Sequence, residues 1–133
     1  MHLVTWNTQW CCGLDGEVRP ERIVQTVQAM GECDVLCLQE IAINYPQLRG
    51  GAAHQVEQLK ALLPGWSVFF GAAVHEWTEV GEQQFGNLIA TRLSVLQVQH
   101  FPLPYPADHN IRTMPRMCTA VTVQDPVLGP VRV

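Results

Sequence analysis

The sequence predicts an α/β protein built on one mixed β-sheet with helices on one face. Three observations carry that prediction. In the first half, two segments with helical apolar spacing alternate with two strand-like segments. Asp34–Gln39 is a short, nearly all-apolar run, as a central strand buried on both faces requires. After Pro64-Gly65 the apolar period drops to two, the mark of successive hairpins.

Taken in order, His2–Gln9 alternates and is rich in Val, Thr and Trp, which predicts a strand ending near Asn7. Cys12–Gly16 is a turn-rich loop. Pro20 opens a helix whose Ile23, Val24, Val27 and Met30 share one side, with Gly31 near its end. The strand at Asp34–Gln39 leads through Asn44-Tyr45-Pro46 and Gly50-Gly51 to a second helix over Ala52–Leu63, which Pro64-Gly65 stops. Trp66–Val74 and Gly86–Leu93 read as hairpin partners across a polar tip at Glu76–Gln84. Ser94–His100 is a further strand, and Phe101–Pro115 carries four prolines and must be irregular loop. Met117–Val123 is a strand, Asp125–Pro130 a turn, and Val131-Arg132-Val133 the opening of another strand. A chain stopping there is expected to be truncated at its carboxyl end.

Composition narrows the function classes. The 133 residues suit one domain, and 47% hydrophobic with 15% charged residues is a globular balance. No apolar run is long enough for a membrane span, and Met1-His2-Leu3-Val4 lacks the basic start of a signal peptide. A net charge of −4 offers no basic stripe for a long phosphate backbone, although a metal site could still supply the positive charge that phosphate chemistry needs. The five cysteines, Cys11, Cys12, Cys33, Cys37 and Cys118, are odd in number and fit no zinc spacing. A reducing, cytoplasmic setting is expected. Cys37 reads as a small buried hydrophobe, and thiol chemistry at Cys11-Cys12 is a minor alternative.

Three stretches place polar residues where apolar strands end. Asn7 closes Thr5-Trp6-Asn7 and Glu40 closes Leu38-Gln39-Glu40. Parallel neighbouring strands would bring these carboxyl ends together, where α/β sheets bind ligands. One carboxylate beside a neutral amide suits Mg²⁺, which fills its remaining positions with water and phosphate oxygens. The third stretch is Phe85–Arg92, in which Gly86 permits close backbone approach and Asn87 enters a strand. Each also has a purely structural reading: a turn amide for Asn7, a capping surface carboxylate for Glu40, and a hairpin with a glycine bulge for Gly86-Asn87.

Taken together, Thr5-Trp6-Asn7, Asp34–Glu40 and Gly86–Arg92 resemble the endonuclease/exonuclease/phosphatase superfamily of deoxyribonuclease-like metallo-phosphohydrolases. The ordered trio is more specific than any one piece. The resemblance covers essentially the whole chain but only the amino-terminal part, about the first half, of such a domain.

The resemblance implies half of a four-layer αββα sandwich. It also implies a Mg²⁺ or Mn²⁺ ligand at Glu40, and Asn7 helping to hold the metal and the attacked phosphate. Asn87 would lie near the rim, and Arg116, a looser match, would contact substrate phosphate. The family's Thr-His-Leu, Asp-x-Asn and Asp-His segments have no counterpart in these residues. His100 and His109 are the only late histidines, and neither has the expected strand context. The expected activity is therefore hydrolysis of a phosphodiester or phosphomonoester by the full-length enzyme, with this fragment inactive alone. A nucleic acid is among the candidate substrates, and the acidic charge tilts toward a small or single-site phosphoester. The competing expectation is a non-catalytic module that buries an open sheet face against a partner, or in a homodimer if the chain truly ends at Val133.

Overall fold

The computed structural model describes every residue except Ala107, His109 and Arg112. Its elements are β1 (Leu3–Asn7), α1 (Pro20–Ala29), β2 (Val35–Ile43), α2 (Gln55–Leu62), β3 (Ser67–Thr78), β4 (Gly81–Thr91), β5 (Ser94–Pro102), β6 (Met117–Asp125) and β7 (Gly129–Arg132). The first four strands form a mixed sheet in the order β1-β2-β4-β3, with β1 parallel to β2 and the other pairs antiparallel. The last three form an antiparallel sheet in the order β5-β6-β7.

Burial explains the layering. Pro20 starts α1 where no amide hydrogen is needed, and Ile23, Val24 and Val27 turn to the core. At the start of α2 the His54 ring accepts the Glu57 N–H at 3.3 Å, and Val56 and Leu59 are buried. These helical side chains pack on Leu36, Leu38 and Ile41 of β2 and on Leu88 and Ala90 of β4. On the opposite face, Val35, Cys37, Phe69 and Ile89 meet Val95, Val98, Val121, Val123 and Val131 of the second sheet. The result is a helix layer, a mixed sheet and a second sheet, which is α/β and corresponds to half of an αββα sandwich.

Two expectations are refined. The strands divide between two sheets instead of sharing one, so the apolar face expected to stand open is covered by β5, β6 and β7. A period of two cannot tell consecutive strands of one sheet from strands that cross to a second. The solvent side of the new sheet instead shows exposed Leu96 and Phe101, with the Arg132 guanidinium 5.5 Å from the Phe101 ring centre. The polar tip expected at Glu76–Gln84 is strand up to a turn at Glu79-Val80, with Trp77 paired to Glu82 and Thr78 to Gly81. The hairpin outreaches the core there, so its side chains, Trp77 and Val80 among them, are exposed although its backbone stays paired. Cys37 is partly buried, and burial raises its thiol pKa, in keeping with a packing role. No described helix is long and apolar enough to cross a membrane.

Candidate active site

The site is created by an irregularity in β2. On that strand Leu36 and Leu38 face the helices, so strict alternation would send the side chain at position 40 into the same apolar layer. A register shift between Leu38 and Ile41 breaks the alternation, and Ile41 takes the helix-facing place instead. Glu40 occupies the bulge with a left-handed φ of 62° and lines a cleft on the other side with Gln39. The bulge therefore removes a carboxylate from the core and delivers it to a surface cavity.

The chain leaving β1 completes this geometry. Gln9, Trp10 and Cys11 all hold left-handed φ values, 46°, 45° and 61°. Within that turn Thr8 N–H donates to the Gln39 carbonyl at 3.1 Å and Trp10 N–H to the Glu40 carbonyl at 2.7 Å. The Asn7 side chain is fixed at both ends. Its Oδ1 accepts the Gln9 N–H at 3.1 Å, and its Nδ2 donates to Glu40 Oε1 at 2.9 Å. Asn7 thus orients the carboxylate, and no hydrogen bond among the described residues engages Oε2.

Gln55 ties β2 to the turn that follows β1 and is the residue the sequence reading missed. It is fully buried, and its Oε1 accepts Ala42 N–H at 3.0 Å just past the bulge. Its Nε2 donates to the Trp10 carbonyl at 2.6 Å. Backbone groups left unpaired by two irregular segments are satisfied by one side chain. A polar residue at the start of a helix, normally read as a surface position, was the only signal.

The cleft, of about 260 Å³, brings together all four residues singled out from the sequence: Asn7, Glu40, Asn87 and Arg116. Asn87 is held by its Nδ2, which donates to the Met117 carbonyl across the two sheets at 2.9 Å. Arg116 is exposed and, among the described residues, takes part in no ion pair. Gly86 lies in the wall because β3 passes too close for a side chain: an added Cβ would strike the Gly71 carbonyl and come within 2.9 Å of Ala72 Cα. His100 is not part of this cavity; it sits on β5, 3.2 Å from the Thr119 hydroxyl. His109 lies outside the described residues.

Charge and chemistry fit a divalent cation plus phosphate. Among the described residues no three His, Cys, Asp or Glu side chains gather, and those lining the cleft offer one carboxylate (Glu40), three amides (Asn7, Gln39 and Asn87) and one guanidinium (Arg116). That set suits Mg²⁺ or Mn²⁺, which accept one or two protein carboxylates and complete their shell with water and phosphate. The thiol alternative fares differently. Burial pushes Cys11 up to about 12, opposite to the activation a thiol nucleophile needs, and all five cysteines are unpaired.

No protein-family model matches the sequence, and no significant match is found among curated proteins. Solved structures do match. An endonuclease/exonuclease/phosphatase from Beutenbergia cavernae superposes with a TM-score of 0.78 at 27% identity, over 98% of this chain and 36% of that one. The chain carries the endonuclease/exonuclease/phosphatase fold. A family protein from Leptotrichia buccalis gives a TM-score of 0.61 at 13% identity, over 98% of this chain and 52% of the other. One from Bacteroides vulgatus gives 0.61 at 20% identity, over 96% and 48%. The chain thus spans roughly a third to a half of these structures, as the amino-terminal part of such a domain would.

Proposed function

We propose that residues 1–133 supply the metal-holding side of a divalent-metal-dependent phosphoester hydrolase. The observation that carries the proposal is the β2 bulge, which aims Glu40 into a cleft shared with Asn7, Asn87 and Arg116. Glu40 Oε2 would hold the cation, with Asn7 fixing the carboxylate and Arg116 binding a phosphoryl oxygen. A bound Mg²⁺ or Mn²⁺ supplies Lewis-acid stabilisation of charge on the phosphoryl group. Asn87, anchored to the second sheet, would fix the rim against which the ester lies. A base to deprotonate water is expected from residues beyond this stretch, so the chain alone is proposed to bind without turnover. The unpaired cysteines support a reducing, cytoplasmic setting.

The test is a Mn²⁺ titration of the chain followed by electron paramagnetic resonance, beside Glu40→Gln, which keeps the acceptor for Asn7. The expected result is a single bound ion in the wild type and affinity lower by roughly tenfold or more in the variant, since the charge is lost and the shape kept. Equal Mn²⁺ binding by both would remove Glu40 from the metal site.

A further inference from the structure

Beside the cleft lies a second chamber of about 340 Å³ with a different character. Glu40, Phe85, Met114 and Arg116 line both spaces, so a phosphate held between Glu40 and Arg116 opens directly onto the chamber. The other described residues of its wall carry no charge: Trp10, Tyr45, Leu48, Phe85 and Met114. Tyr45 and Phe85 pack as a tilted pair with ring centres 5.8 Å apart. Trp10 is fixed more firmly still. Its backbone N–H is bound to the Glu40 carbonyl, its own carbonyl accepts from Gln55, and its indole Nε1 donates to the Arg49 carbonyl at 3.2 Å. The indole is held by its edge, partly buried, and lines the chamber.

We infer that this chamber seats one planar ring of the phosphoester, of nucleobase size, by stacking on Trp10. The inference rests on the phosphoester reading above and adds a substrate class to it. Three features argue for a single ring over a strand. The volume is at the small end of ligand pockets, about 300–1,000 Å³. Among the described residues Arg116 is the only cationic side chain lining the chamber or the cleft, which suits one phosphate and not a row of them. The chain is acidic overall, at −4. A rigid aromatic face costs little order on binding and accepts any base, because each presents a π-face.

The experiment compares two ligands that differ only in the ring. The chain is titrated with 5′-AMP and with ribose 5-phosphate by calorimetry in the presence of Mg²⁺. The expected result is AMP binding tighter by roughly tenfold or more, the preference that stacking on one aromatic side chain supplies. In Trp10→Leu the preference falls to near parity with ribose 5-phosphate affinity unchanged, and Trp10→Phe restores it. Leu48→Ala, at a residue that lines the chamber and not the cleft, with a fold checked by circular dichroism, is expected to weaken AMP alone and stands in should Trp10→Leu fail to fold. Ribose 5-phosphate and AMP binding equally well to the wild type would overturn the ring subsite and leave the phosphoester reading standing. An AMP preference that survives in folded Trp10→Leu would overturn the assignment to Trp10. Binding of neither ligand would overturn both readings together.

Discussion

Glycine at position 40 should make the protein more stable than alanine there, and the size of the difference follows from the bulge. Glu40 adopts φ 62°, a conformation that costs a residue with a Cβ about 1–2 kcal/mol. In exchange its carboxylate accepts one hydrogen bond from Asn7 at 2.9 Å, a contact worth about 0.5–1.5 kcal/mol net. Glu40→Ala loses the bond and keeps the strain. Glu40→Gly loses the same bond and relieves the strain, less about 0.5–1 kcal/mol for the greater freedom of glycine in the unfolded chain. The difference leaves glycine more stable than alanine by about 0.5–1 kcal/mol. For a chain of this size that is roughly 2–5 °C in Tm. Glu40→Gln keeps an acceptor for Asn7 and should unfold close to the wild type. Thermal unfolding by circular dichroism, with urea titration for the free energies, separates the four proteins. Alanine equal to or above glycine would show that the bulge does not hold position 40 under strain, and the argument for a site maintained at the expense of stability would fall.

Other consequences follow from neighbouring contacts. Gln55→Leu leaves the Ala42 N–H and the Trp10 carbonyl buried without partners, at about 1–3 kcal/mol each, and should lower the urea midpoint more than any Glu40 variant. Stability should fall in acid through two aspartates. Asp34 accepts from His2 N–H and from Arg92, and Asp125 from the Leu128 and Val127 N–H groups, so both carboxyls sit below their ordinary 3.8. Because the folded form holds these protons less tightly than the unfolded one, the contribution is complete above pH 3.8 and is lost as pH falls through the folded values. Urea midpoints from pH 6 to pH 2 should show that loss, and Asp34→Asn should shrink it. With an aromatic disulfide reagent at pH 8, exposed Cys118 should react quickly while Cys11, pushed up to about 12 by burial, waits for unfolding. Rapid modification of Cys11 in the folded protein would contradict its burial.

The sequence made the α/β class, both helices and the polar strand ends legible, because burial imposes period and the strand ends interrupt it. Asn7, Glu40 and Asn87 stood out as polar residues closing or entering apolar runs. Arg116 came through the family resemblance, and the structure places it in the same cleft. What stayed hidden depends on contacts distant in sequence. Alternation describes one strand at a time and says nothing of which sheet it joins, so the separation of β5, β6 and β7 into a second sheet is not legible in it. The bulge was hidden for a related reason. Leu38, Gln39, Glu40 and Ile41 read as a strand ending in polar residues, whereas β2 continues to Ile43 on a shifted phase. Gln55 could be recognised only once Trp10 and Ala42 were seen to need its two ends.

The strained residues are not scattered. Among the described non-glycine residues, left-handed φ values occur at Gln9, Trp10, Cys11, Glu40 and Asn44. Four of these five lie in two segments bound to each other through Trp10 N–H and the Glu40 carbonyl. The fifth, Asn44, closes β2 and ties it to the hairpin turn, donating to the Val80 and Glu82 carbonyls at 3.0 Å each. Glycine would relieve each of these positions, and the chain does use glycine for left-handed turns elsewhere, at Gly65, Gly81 and Gly129. The side chains kept at the strained positions include the carboxylate aimed into the cleft and the indole lining the chamber beside it. Local rules of chain conformation are broken where a functional group must be held against them. That coincidence of strain, polarity and cavity supports a working site here more strongly than any one of the three.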